Sequence, residues 1–320
     1  MKKYSGAAKL FTALFAFIIA VVMVAGSTLP AAAAEKAPEL KVFSSPEDAA
    51  KSLENACKNN DEKALLEMFG QIYEKVVNST DKNTDKANRK KLADLLAEKV
   101  SFRKQIDNDN IVTIIVGEME YPFPIPLIKE NSGWKFDIPL GLQEIVNRRI
   151  GRNELAAIGV CNEFVKAQKE YAAKDHDGDK VLEYACKFVS THGKKDGLYW
   201  ATGKDGETSP FGPMAEKVKA AGVKKQDGKN PTFFGYHFKI LTGQGSNAPG
   251  GKHDYIVNGN MIAGYAMVAY PAVYGKTGVM TFMVNQLGVV YEKDLGKNTV
   301  ETAGKMDSFN PDKTWLETKE

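Results

Sequence analysis

"NELAAIGVCNEFVKAQKEYAAKDHDGDKVLEYA", residues 153–185, joins two patterns whose meeting decides the fold. Up to Ala172 the apolar and small residues recur at helical spacing. Ala157, Cys161, Phe164, Val165, Gln168 and Tyr171 or Ala172 fall on one face, which predicts a helix of roughly 30 Å at 1.5 Å per residue. The helical region extends back over 141–173, where Gly151 is expected to break it and Asn153 to restart it, with Glu154 in the first turn. From Asp175 the period vanishes. Three aspartates stand at alternate positions around Gly178, and Glu183 follows. A helix with one apolar face needs something to cover it, and the last third of the chain supplies a candidate.

That third reads as a meander of strands. "FFGYHFKIL" is separated from "DYIV" by the glycine-rich "TGQGSNAPGGKH". Asn258-Gly259 is the dipeptide of a type I′ hairpin, because both residues tolerate positive φ. "NMIAGYAMVAY" returns, and "GVMTFMV" and "GVVYEKDL" form another hairpin over Asn285–Gly288. The long helix laid on this sheet buries both apolar faces. Residues 192–230, rich in glycine, lysine and small polar residues, are expected to be mostly irregular.

Upstream, Ser45 can cap a helix with Pro46 at its first position and Glu47 and Asp48 at its positive end. A second helix is expected from Asp61 to about Ile72, and a third near Asp85 to Glu98. Strands follow: "KVSFRKQI", "NDNIVTIIVG" and a hairpin in "FPIPLIKENSGWKFDI". Pro122, Pro124 and Pro126 cannot donate to a ladder, so their strand belongs at an edge.

The acidic loop has the oxygen supply of a calcium site. Calcium takes six to eight hard oxygens, and alternate side chains of a short loop can offer several. With Asp175 at position 1, Asp177 and Asp179 fall at 3 and 5, the Val181 carbonyl at 7 and Glu183 at 9. An EF-hand is excluded. Lys180 stands at the glycine position, at a cost of about 1 kcal/mol if the positive φ is kept, and Cys186 replaces the last acid. A shorter loop is left, with Asp175, Asp177, Asp179 and Glu183 as ligands and a structural Ca²⁺ as the expected cofactor. The alternative is a solvated turn between two helices, its crowded carboxylates partly neutralised by Lys174 and Lys180.

The N-terminus bears on compartment and charge. Lys2 and Lys3 precede an apolar stretch, Leu10 to Val24, and "TLPAAAAE" offers small residues for cleavage after Ala34. The run is about 15 residues, short of the ~20 that span a bilayer. Residues 1–34 are therefore expected to be a signal peptide, with the protein periplasmic or secreted and no membrane span after cleavage. The chain has 43 basic and 40 acidic residues; without Lys2, Lys3 and Lys9 there are 40 of each. A neutral chain without a basic stripe argues against nucleic acid. Three cysteines are too few for a disulfide framework; either Cys161 pairs with Cys186 or all three are free thiols.

Motifs for catalysis are few. The stretch 243–251 lacks the Ser or Thr that Walker A needs after its lysine. His237 and His253 lie near Asp254 in sequence, which admits an envelope hydrolase with its site in the C-terminal sheet loops, where Tyr270 and Tyr274 could line a groove. No G-x-S-x-G, H-E-x-x-H or C-x-x-C accompanies them, and Cys161 sits on an apolar helix face.

"RRIGRNELAAIGVCNEFVKAQKEYAAKDHDGDKVLEYA", "YHFKILTGQG", "YPAVYGKTGVMTFMVNQLGVVYEKDLG" and "FNPDKTW" occur in order, and with them the mature chain resembles the secreted bacterial family called domain of unknown function 2950. That resemblance implies no activity. Residues 40–138 resemble NTF2-like domains in pattern. The helix, acidic loop and meander resemble the globular part of type II secretion pseudopilins, which often bind calcium in that loop; their assembly signal is missing here. The expectation is an α+β protein. Residues 35–140 form helices on a curved antiparallel sheet (NTF2-like), and 141–320 a long helix on a meander (pilin-like). Its expected role is that of a non-catalytic binding or interaction module for an envelope protein or polymer.

Overall fold

A computed structural model describes residues 40–70, 82–201, 206–220 and 232–318. The expected signal peptide, 1–34, and the expected end of the second helix at Ile72 lie outside the described residues. The chain divides into two compact units between Ile145 and Val146.

In the first unit, helix α1 (Pro46–Lys58) starts where Ser45 Oγ accepts the Asp48 N–H at 3.1 Å, with Pro46 opening the first turn. It buries Ala49, Leu53, Ala56 and Cys57. Helix α2 (Glu62–Phe69) is capped by the Asp61 carboxylate, which accepts the Ala64 N–H at 3.0 Å. Helix α3 (Lys82–Glu98) packs on α1 and buries Ala93 and Leu96. Strands β1 (Val100–Gln105), β2 (Asn108–Val116), β3 (Tyr121–Pro122), β4 (Leu127–Glu130) and β5 (Gly133–Phe136) make an antiparallel sheet in the order β1-β2-β4-β5, with β3 paired only to β2. The proline-rich strand is thus two residues long, because Pro122, Pro124 and Pro126 have no N–H to extend it. Ile114, Val116, Leu127 and Phe136 of the sheet share one core with the three helices. Gly133 is required where it stands: its φ is +130°, and a Cβ would lie 2.6 Å from the Phe43 carbonyl oxygen.

Helix α4 (Ile138–Tyr171) runs unbroken for 34 residues, and the unit division falls inside it. Its first turn is held by the Asp137 carboxylate, which accepts the Leu140 N–H at 3.0 Å. The expected break at Gly151 does not occur. One glycine costs a helix about 1 kcal/mol, less than burying the Ala157–Tyr171 face returns. That face lies where its period placed it, with Ala157, Cys161, Phe164, Gln168 and Tyr171 all buried.

The 192–230 segment, expected to be mostly irregular, is so among its described residues apart from one short helix, α5 (Gly212–Ala220). The strands that follow are β6 (Thr232–Phe233), β7 (Tyr236–Leu241), β8 (Gly243–Gln244), β9 (His253–Asp254), β10 (Ile256–Val257), β11 (Asn260–Met261), β12 (Ala266–Pro271), β13 (Met280–Asn285) and β14 (Val290–Asp294). Helix α6 (Thr299–Gly304) and strands β15 (Ser308–Phe309) and β16 (Leu316–Glu317) finish the chain. The main sheet is antiparallel, in the order β16-β14-β13-β12-β7-β6. A second, small sheet has the order β15-β8-β9. Phe238, Val268, Phe282 and Val284 of the main sheet form one core with the apolar face of α4. Strand β12 is buried at every position, since α6 and β15 also pack against it. The architecture is α+β.

All three cysteines are free thiols, Cys57 and Cys161 buried and Cys186 exposed; the Cys161–Cys186 bond is not made. Burial pushes the Cys57 and Cys161 thiols up to about 12, which leaves neither a nucleophile at neutral pH.

Candidate metal centre

Helix α4 ends at Tyr171, and no second helix follows the acidic loop; residues 172–187 carry neither helix nor strand. The loop turns back on itself through its own side chains. Asp175 Oδ1 accepts the N–H groups of Asp177 (3.2 Å) and Gly178 (2.7 Å), and its Oδ2 accepts that of Lys180 (2.9 Å). Asp177 Oδ1 takes the Asp179 N–H at 3.2 Å, and Asp179 Oδ1 the Val181 N–H at 2.7 Å. The result is convergence: one oxygen from each of Asp175, Asp177 and Asp179 lies within 4.8 Å of the others, all three side chains exposed. Asp175 Oδ1 has both lone pairs engaged, whereas Asp175 Oδ2, Asp177 Oδ1 and Asp179 Oδ1 each accept one N–H and keep a second lone pair for a cation.

Gly178 sits at φ +86° and Lys180 at φ +70°. The loop therefore makes the positive-φ turn at position 6 even though a lysine occupies it, and accepts the cost.

Glu183 is not in the convergent group. Its Oε2 accepts the Met261 N–H at 3.2 Å instead, so the four-residue ligand set reduces to three aspartates in this geometry. The Glu183 carboxyl is pushed above its ordinary range, first by burial and then by the negative charge of Asp177, Asp179 and Asp175. Asp175 moves the other way, because the backbone N–H groups of Gly178 and Lys180 favour its ionised form. Lys174 does not neutralise the cluster: its ammonium is bound to Glu207 at 2.8 Å.

Three anchors hold the loop. Gln168, wholly buried on α4, spans the backbone of Ala185, donating to its carbonyl and accepting its N–H, both at 2.8 Å. His176 stacks on Tyr171 with ring centroids 4.2 Å apart. The β10–β11 hairpin reaches across from the far end of the sequence. Asn260 Nδ2 donates to Asp179 Oδ2 at 2.7 Å, and the Tyr184 N–H donates to the Met261 carbonyl at 2.8 Å. Asn258 (φ +52°) and Gly259 (φ +96°) form the type I′ turn read from the sequence. The role of Asn260 was not legible, because nothing in a hairpin signal says what the hairpin will lean on.

The other sequence candidates are separate. His237 Nδ1 lies 2.9 Å from Thr232 Oγ1 with its ring against Tyr270, and His253 Nε2 lies 3.4 Å from the Ala263 carbonyl. Tyr270 is buried in β12, whereas the Tyr274 hydroxyl donates to Asp294 at 3.1 Å. The glycine-rich stretch 243–251 closes around buried Gln244, whose amide donates to the carbonyls of Pro249 and Gly251 at 2.8 and 2.7 Å.

The sequence profile of a family described as "Protein of unknown function (DUF2950)" matches residues 40–318. Neither a curated protein nor a solved structure matches the chain. The NTF2-like and pseudopilin-like readings rest on the pattern of elements alone.

Proposed function

The chain belongs to the DUF2950 family of proteins of unknown function, and from that premise we propose an exported, non-catalytic binding protein whose second unit is stiffened by calcium. The observation that carries the ion is the convergence of Asp175, Asp177 and Asp179 within 4.8 Å. Carboxylates this close repel one another, and a divalent cation removes that repulsion. Two further features support the reading. Lys174, the adjacent cation, is bound to Glu207, and Lys180 is held at a φ that calcium loops ordinarily give to glycine. The affinity expected is that of extracellular modules, about 10⁻⁴–10⁻³ M. The role is structural, since the ligands tie the end of α4 to the β10–β11 hairpin through Asp179 and Asn260. Export rests on the leader-like residues 1–34, with an envelope protein or polymer as the partner class.

The test is thermal unfolding in EDTA and in millimolar Ca²⁺, for the native chain and for Asp177→Asn. Calcium should raise the Tm of the native protein and leave the variant unmoved. A native Tm that ignores calcium overturns the ion.

A further inference from the structure

In the second unit a cleft of about 360 Å³ opens beside the last turn of α4 and the first turns of α5. Small-molecule sites enclose roughly 300–1,000 Å³, so its size suits a small ligand. One lining residue, Ser209, stands out. It is only 4 % exposed, yet among the described residues its hydroxyl makes no hydrogen bond, and the oxygen is not sealed into the interior. A buried hydroxyl left without a partner weakens the fold, so the group that satisfies it belongs in the cleft. Gly212, also in the lining, keeps that oxygen open: a Cβ there would lie 3.2 Å from Ser209 Oγ.

The rest of the lining says what kind of ligand fits. Glu170 and Glu216 are exposed acceptors, and Thr208 adds a second hydroxyl. The glutamates do not make the cleft a cation site, because Lys169 and Lys217 stand beside them in the chain. Nor does Trp200 offer a free face. The Lys195 ammonium lies 5.7 Å from its ring centroid, the His176 ring 5.5 Å from it, and its indole N–H donates to the Glu207 carbonyl. It serves as a fixed wall. Tyr199, Pro210 and Pro213 supply further carbon surface. Offset charges, hydroxyls that donate or accept, carboxylates that only accept, and apolar walls suit an uncharged ring rimmed with hydroxyls.

We propose that this cleft binds a saccharide, with one sugar hydroxyl paired to Ser209, others donating to Glu170 and Glu216, and the C–H faces of the ring against Tyr199 and Pro213. The proposal rests on reading the protein as a binding module for envelope material, and it names the ligand class. It does not depend on calcium.

Titration of the full chain, followed by saturation-transfer NMR, tests this with glucose, mannose, galactose and N-acetylglucosamine. Cyclohexanol is the counterpart that keeps a ring and lacks the rim of hydroxyls. Each titration is run in EDTA and again in millimolar Ca²⁺. Saturable binding of at least one sugar is expected, and none of cyclohexanol. Ser209→Ala should weaken binding roughly three- to tenfold, the worth of one hydrogen bond. Its Tm should stay unchanged or rise, because an unpaired buried hydroxyl has been removed. Gly212→Ala should weaken binding too, by crowding the same oxygen, and Glu170→Gln at an exposed position keeps the test decisive if either variant misfolds. Asp177→Asn should leave sugar binding intact while removing the calcium effect. No saturable sugar binding, equal binding of cyclohexanol, or an affinity indifferent to Ser209, Gly212 and Glu170 overturns the proposal. A calcium effect that persists without sugar binding would show that the cleft has failed and the ion has not.

Discussion

Glu183 and Asp196 are carboxylates pushed in opposite directions, and each contributes a slope of its own to the pH profile of the metal-free protein. Burial and three neighbouring aspartates raise Glu183 above its ordinary 4.5. A folded pKa above the unfolded one means the fold is penalised when the group ionises. Stability is therefore lowest above the raised value and recovers as pH falls toward 4.5. For Asp196, burial alone would raise the pKa. The Lys187 ammonium, at 2.7 Å, and the Thr191 N–H and hydroxyl win instead and bring it to about 2. Its contribution is present above 3.8 and is lost as pH falls from there to about 2. In EDTA, Glu183 contributes a rise in Tm on mild acidification. Half-buried His237 opposes it, since its lowered pKa costs stability below 6.5, and Asp196 and Glu207 contribute the later drop. Glu183→Gln should raise Tm at neutral pH and flatten the first slope, while Asp196→Asn should flatten the second. If the proposed cation sits among the three aspartates it offsets their charge on Glu183, so adding calcium should flatten the first slope. A Glu183→Gln profile that overlays the native one would show that the glutamate bears no such strain.

At the scale of elements, periodicity carried most of the fold. The Ala157–Tyr171 stripe of α4, the Ser45–Pro46 start of α1 and the Asn258-Gly259 turn were legible because each is a local signal read by local physics. Misreadings came where burial overrode a local signal. Gly151 reads as a break, yet α4 passes through it. The short helix α5 within the mostly irregular 192–230 stretch is a detail the sequence reading did not resolve, although Pro213 in its first turn is a local cue. In the site the three aspartates were legible from spacing. Diversion of Glu183 to Met261 and of Lys174 to Glu207 was not, since those partners lie 78 and 33 residues away. Gly151 supplies the test at this scale. Nothing lies within 4 Å of where its Cβ would be, so Gly151→Ala should stabilise the protein by about 1 kcal/mol. That gain corresponds to a Tm rise of roughly 2–4 °C. No gain would mean that the glycine serves α4 in some way beyond helix propensity.

Across the whole molecule, two hydrophobic cores divide the work. One joins α1, α2 and α3 to the β1–β5 sheet, and the other joins α4 to the six-stranded sheet. Among the described residues, the aspartate loop is tied into the second, through Gln168, His176 and Asn260. A ligand stabilises whatever unfolds with its site, by RT ln(1 + [L]/Kd). For ten-millimolar Ca²⁺ and an affinity of 10⁻⁴–10⁻³ M this gives about 1.4–2.7 kcal/mol, or roughly 3–11 °C for a unit of this size. Scanning calorimetry should resolve two transitions, with calcium moving one and leaving the other in place. Asp177→Asn should return the calcium-sensitive transition to its EDTA position. Hydrogen exchange assigns them: the amides of β7, β12 and β13 should slow with calcium, while those of β1 and β2 should not. Equal protection of both sets would mean that the two cores unfold together and that the loop's tether reaches beyond its own unit.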